Sequence, residues 1–208
     1  VNYVLRHPGD IAWRTLEHVE LVAIALVIAC AIALPLGVLV ARKRRIGDAI
    51  LAALNIVYTI PSLAIFALLI PLFGIGTFTA IVALVAYSQM ILVRNVAVGL
   101  RGVPFALTDA ARGLGMSAWQ SLWRVELPQA LPVILGGVRL ATITLIALAT
   151  LASWINAGGL GTLILYGLQH DDPIRALAGS VIAALLAIAA NTGFHVLERR
   201  TAIERGGH

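Results

Sequence analysis

The sequence predicts an all-α polytopic membrane protein with about five transmembrane helices and its N-terminus outside the cell. Three observations predict it. Of the 208 residues, 60% are hydrophobic and only 12% are charged, whereas a soluble domain carries about 25% charged residues. Several charge-free runs reach the roughly 20 apolar residues that a helix needs to cross the hydrocarbon core. Lys and Arg collect at alternate ends of those runs, as they do in cytoplasmic loops. The whole chain, 1–208, reads as a single transmembrane domain.

Taken in order, the N-terminal stretch holds Arg6, Asp10, Arg14, Glu17 and Glu20 before any long apolar run. No short apolar core with a small-residue cleavage site precedes them, so no cleavable signal peptide is expected. The first span is placed at 20–41 and stops at Arg42-Lys43-Arg44-Arg45. Ala49 to Val93 is free of charge and too long for one crossing. The turn-forming run Pro71-Leu72-Phe73-Gly74-Ile75-Gly76 divides it into spans at 49–70 and 77–96. Leu140 to Gln169 is again uncharged, but Gly158-Gly159-Leu160-Gly161 makes a poor helix interior. One span is therefore expected at 134–153, followed by a partly irregular segment, and the last at 175–196. Pro35 and Pro61 are expected to kink their helices, with neighbouring helices satisfying the freed carbonyls. With the N-terminus outside, the inner side receives Arg42, Lys43, Arg44, Arg45, Arg94, Arg101, Arg112, Arg124, Arg139, Arg199, Arg200 and Arg205, and the outer side only Arg6, Arg14 and Arg175. The opposite topology would invert that twelve-to-three distribution.

Composition also narrows the function. The net charge of +5 is that of a basic membrane protein, and no basic face with interleaved aromatics points to nucleic acid. The lone Cys30 forms no intrachain disulfide and reads as a buried thiol. His7, His18, His170, His195 and His208 are scattered without ligand spacing, so no metal is expected, and they read as interface or surface residues. Lys43 is the only lysine and lacks a glycine-rich phosphate loop. The chain is therefore not expected to be an enzyme or to carry a cofactor.

The longest polar interval, 97–133, is placed on the cytoplasmic side. Thr108 or Asp109 is suited to cap a short helix over Ala110–Leu114, which Gly115 would end. A second amphipathic segment, Ser117 to Val125, brings Trp119, Leu122 and Trp123 together at helical spacing, and Leu127-Pro128 is expected to stop it. Small residues Ala110, Ala111 and Gly115 would let a partner approach closely. From physics alone, a helix lying in the lipid interface with Trp119 and Trp123 as anchors is an equal reading.

The residue pattern adds a resemblance. Asp109-Ala110-Ala111, three residues, Gly115, nine residues, then Val125-Glu126-Leu127-Pro128 resembles the EAA loop of ABC importer permeases, with Asp in place of Glu and Val in place of Ile. Tyr58-Thr59-Ile60-Pro61-Ser62-Leu63-Ala64, Ile70 to Gly76, Val93-Arg94-Asn95, Gly99-Leu100-Arg101 and Gly158 to Gly161 look like the permeases for glycine betaine, carnitine and choline. The resemblance runs from about residue 17 to 190.

What it implies is a type I (MetI-like) importer in a bacterial inner membrane. Such an importer has two permease subunits, identical or not, two ABC ATPase subunits, and an extracytoplasmic substrate-binding protein. The implied ATPase contact is Asp109, Ala110, Ala111, Arg112 and Gly115, with Met116, Ser117, Trp119, Leu127 and Pro128 beside it. Candidate residues for the solute path are Tyr58, Pro61, Ser62, Gln89 and Asn156. Tyr87, Tyr166 and Trp154 offer further aromatic faces for a quaternary ammonium, although Tyr and Trp also serve as interfacial residues. A permease of the same architecture for methionine or another small solute stays open. So do a passive channel and a membrane-embedded enzyme, although the spans hold no cluster of His or acidic residues.

Overall fold

A computed structural model describes residues 6–206, with side chains through Arg199. Its order is α1 (Pro8–Arg42), α2 (Arg44–Thr59), α3 (Ser62–Phe73), α4 (Thr77–Arg101), α5 (Phe105–Gly113), α6 (Ala118–Ser121), a π-helical turn (Leu122–Glu126), α7 (Leu127–Leu151), a 3-10 turn (Ala152–Ile155), α8 (Gly161–Gln169) and α9 (Pro173–Gly206). Among the described residues, four helical stretches are long and apolar enough to cross a membrane, or five if the bent pair α2–α3 is one span.

The bundle is built on α1, α4 and α7. In α1, Leu21, Ala25, Ala29, Ala33 and Gly37 recur every fourth residue and are all buried. A stripe of small residues replaces the hydrophobic driving force that lipid removes, because it lets helix backbones approach and gain dispersion contacts. A Cβ on Gly37 would collide with the Val96 side chain of α4. One on Gly137 of α7 would collide with Asn95 of α4. The main apolar core joins Leu21, Phe66, Leu84, Leu145 and Ala152 from α1, α3, α4, α7 and the 3-10 turn. Helix α9 packs on α7 and α8 at the edge of the bundle and leaves most of its surface outward.

Three expectations are corrected here. The span over 49–70 is not one kinked helix: α2 and α3 meet at 99°. Pro61 lacks an N–H and pushes the preceding residue out of helical geometry. Ile60 accordingly is extended at φ −66°, ψ 130°, and the Tyr87 hydroxyl donates to its carbonyl at 2.9 Å. Leu127-Pro128 does not stop the second loop helix, since helical structure continues from Ala118 to Ile155. The π turn absorbs the proline: the Leu127 N–H reaches back five residues to the Leu122 carbonyl, so the i−4 bonding that Pro128 would break is already re-registered. Finally, His18 is not a surface histidine. It is fully buried, its Nε2 3.1 Å from the Ile146 carbonyl of α7.

Candidate functional site

The loop between α4 and α7 starts a turn earlier than expected. Pro104, at φ −56°, ψ 133°, leads into α5 at Phe105, and the Thr108 hydroxyl donates back to the Phe105 carbonyl at 2.8 Å. Neither Thr108 nor Asp109 is the cap. At the other end the chain leaves α5 through Gly115, at φ +76°. The Met116 N–H donates to Ala111 O at 3.0 Å and the Gly115 N–H to Arg112 O at 2.9 Å. That pair of bonds is a Schellman closure, which needs a left-handed residue where glycine sits. One residue on, Ser117 caps α6 in a reciprocal box: its hydroxyl accepts from Gln120 N, and its own N–H donates to Gln120 Oε1 at 2.9 Å. Two local devices thus set a sharp corner between α5 and α6.

The corner presents a defined surface. Asp109, Ala110, Arg112, Gly115, Ser117 and Trp119 are exposed, and Met116 is half-buried. Ala111 points inward and is buried, so only two of the three small residues face outward. Trp119 and Trp123 meet edge to face at 5.5 Å, with Trp119 67% exposed, while Leu122 is buried in a cluster with Val96, Leu100 and Ala130. Phe105 and Leu114 are also exposed, at 72% and 79%. That much apolar surface beside charged groups marks a surface that something covers.

An ion pair also ties this region to the bundle, and the sequence did not disclose it. Glu126, at the end of the π turn, is buried. Its Oε1 accepts from Arg42 Nη2 at 2.7 Å and from Ser121 Oγ at 3.1 Å. Arg42 ends α1, 84 residues away. Nearby, Leu127 and Pro128 are half-buried and line an apolar cavity of about 450 Å³ with Cys30, Leu92 and Trp123.

The candidate path residues do not converge on one place. Tyr58, Pro61 and Ser62 sit at the α2–α3 break, where the Tyr58 ring lies 5.2 Å from that of Tyr87. Gln89 faces α1 instead: it is buried, and its Nε2 donates to the Ala29 and Val85 carbonyls at 3.3 Å. Asn156 is exposed at the far end of α7, in the left-handed conformation that closes the 3-10 turn. Beside it, Gly158 and Gly159 have positive φ, and the Gly159 N–H donates to Glu17 of α1 at 3.0 Å. Glu17 also accepts from Trp13 and Arg14. Among the described residues, no group of three or more His, Cys, Asp or Glu could hold a metal ion.

Comparison with known proteins decides what this architecture is. Residues 33–203 match the family model described as binding-protein-dependent transport system inner membrane component. The chain belongs to this family. The permease is 40% identical over 200 residues to the glycine betaine/carnitine/choline transport system permease protein OpuCB of Bacillus subtilis (strain 168), covering 96% of this chain and 92% of that protein. It is 41% identical over 203 residues to the osmoprotectant import permease protein OsmW of Salmonella typhimurium, covering 95% and 94%. The fold of the permease is that of the inward-facing methionine ABC transporter MetNI, at a TM-score of 0.84 and 24% identity over 93% of this chain and 96% of that one. At that identity the likeness concerns the fold alone. The permease is thus a multi-pass inner membrane component of an ABC importer.

Proposed function

We propose that this permease moves quaternary-amine osmoprotectants such as glycine betaine, carnitine or choline, as one half of an ATP-driven importer. The observation that carries the solute class is the 40% identity along nearly the whole chain to permeases named for those solutes. The N-terminus lies outside, which puts the α5–α6 corner in the cytoplasm beside a separate ABC ATPase. Asp109, Ala110, Arg112 and Gly115 form the contact, Met116, Ser117 and Trp119 flank it, and Ala111 packs the corner inward. Leu127 and Pro128 carry the connection into α7. ATP and Mg reside on the ATPase, which performs the hydrolysis. A second permease subunit completes the path, and an extracytoplasmic binding protein delivers the solute.

Support for the coupling role comes from how motion would travel. A push on the corner reaches α1 through Glu126–Arg42 and α7 through the unbroken helix past Leu127. ATP binding then biases a two-state bundle between inward-open and outward-open forms. The test is reconstitution of the permease with its ATPase and binding protein in proteoliposomes. ATP-dependent accumulation of glycine betaine or choline, and none of methionine, is expected. Methionine uptake without quaternary-amine uptake would refute the solute class, and solute flux indifferent to ATP would refute the importer reading.

A further inference from the structure

The break between α2 and α3 assembles groups that attract a cation. Helix α2 ends there with the negative end of its dipole, where the last carbonyls have no intrahelical donor. Ile56 O accepts the Thr59 hydroxyl at 2.7 Å, and Val57 O accepts the Ile60 N–H at 3.2 Å. Ile60 O takes the Tyr87 hydroxyl at 2.9 Å. The carbonyls of Tyr58 and Thr59 remain at the helix end, and Pro61 has no N–H to offer them. Tyr58 lies in the last turn of α2 with its ring 5.2 Å from that of Tyr87 and inclined to it by 48°, and it is 38% exposed. The bond from its hydroxyl to Ile60 holds Tyr87 in place. No charged side chain occurs between Asp48 and Arg94 in sequence, so neither α3 nor the facing stretch of α4 brings a cation that would compete.

The other tyrosine in or near a late span is already occupied. One face of Tyr166 stacks on His170 at 4.0 Å, and the Arg175 guanidinium lies over the ring at 4.1 Å. Tyr58 has the tilted Tyr87 ring as its neighbour instead, and among the described residues no cationic side chain lies over it.

On the quaternary-amine reading above, we infer that Tyr58, Tyr87 and the carbonyl end of α2 form a weak binding site for a quaternary ammonium group within the permease. A quaternary ammonium has no N–H, so ring faces and dipole ends are the groups that recognise it without a hydrogen bond. Broken helices offer such ends at membrane depth. A cation on one aromatic face gains about 0.5–2 kcal/mol, so losing the Tyr58 face weakens binding by roughly two-fold to thirty-fold. A weak site suits a path that the solute must leave.

The test has two stages. Uptake by the complete importer comes first: if no quaternary amine is taken up, the proposed solute class fails, whatever Tyr58 does. Given uptake, radiolabelled choline binding is measured on the permease–ATPase complex without binding protein, both nucleotide-free and trapped with ADP and vanadate. Saturable binding in at least one state is expected. Tyr58→Phe should retain it, and Tyr58→Leu should weaken it by about two-fold to thirty-fold. A series of increasingly fluorinated phenylalanines at position 58, which leaves packing almost unchanged, should lower affinity stepwise. No binding in either state by a complex whose importer does move choline would overturn the site. So would wild-type affinity in Tyr58→Leu, or a flat response across the fluorinated series.

Discussion

The Arg42–Glu126 pair ties the α5–α6 corner to the first helix, and its two halves are not equivalent. The Glu126 side chain is 6% exposed, whereas that of Arg42 is 45% exposed. Removing Arg42 strands a buried carboxylate with the Ser121 hydroxyl alone; removing the charge of Glu126 leaves an arginine that water can still solvate. Breaking a fully buried pair costs about 3–5 kcal/mol. Because water reaches Arg42, that figure is discounted to about 2 kcal/mol for Arg42→Ala. Glu126→Gln keeps an oxygen to accept from Ser121 and Arg42 and should cost about 1 kcal/mol. The double variant should be no less stable than Arg42→Ala, since the stranded charge is gone, so the cycle should show coupling of about 1 kcal/mol or more. Denaturant unfolding of the detergent-solubilised permease, followed by the fluorescence of its four tryptophans, reads all three variants. Glu126→Gln proving worse than Arg42→Ala, or additive effects in the cycle, would refute the asymmetry and the pairing behind it.

Other positions discriminate as sharply. Gly137→Ala drives a methyl into Asn95 where α7 crosses α4. It should destabilise the permease by about 1–3 kcal/mol in the same unfolding assay. Gly115 and Gly113 both have open space where a Cβ would go. Only Gly115 has positive φ, so Gly115→Ala should cost about 1–2 kcal/mol through the backbone alone, while Gly113→Ala should be neutral or stabilising. Glu17→Ala leaves the Gly159 N–H without its acceptor, a loss of about 1–3 kcal/mol. Faster amide exchange confined to the 156–161 segment is the expected signature.

Much of this architecture is legible in the sequence because membrane spans are set by a coarse quantity, the length of a charge-free run. The α5–α6 corner is legible for a different reason: Gly115 and Ser117 act locally, through φ and a side-chain cap. What the sequence conceals depends on partners far away. Pro61 announces a disturbance, but whether the helix kinks or breaks by 99° depends on Tyr87, 27 residues on, taking the Ile60 carbonyl. Pro128 looks like a stop until the π turn before it re-registers the bonds. Glu126 reads as an ordinary polar residue in a loop, and only the arrival of Arg42 makes it a buried anchor. His18 looks like an interfacial histidine because nothing local shows that α7 will lie across it.

The central claim is that the exposed α5–α6 corner docks on the ATPase. The most direct measurement places the photo-crosslinking residue p-benzoylphenylalanine at Ala110, on the outward face of α5, and separately at Leu168, which is 68% exposed at the opposite end of the bundle. In the complex of permease, ATPase and binding protein, Ala110 should give an adduct with the ATPase and Leu168 none. An ATPase adduct from Leu168, or none from Ala110 in a complex that retains ATP-driven uptake, would contradict the account.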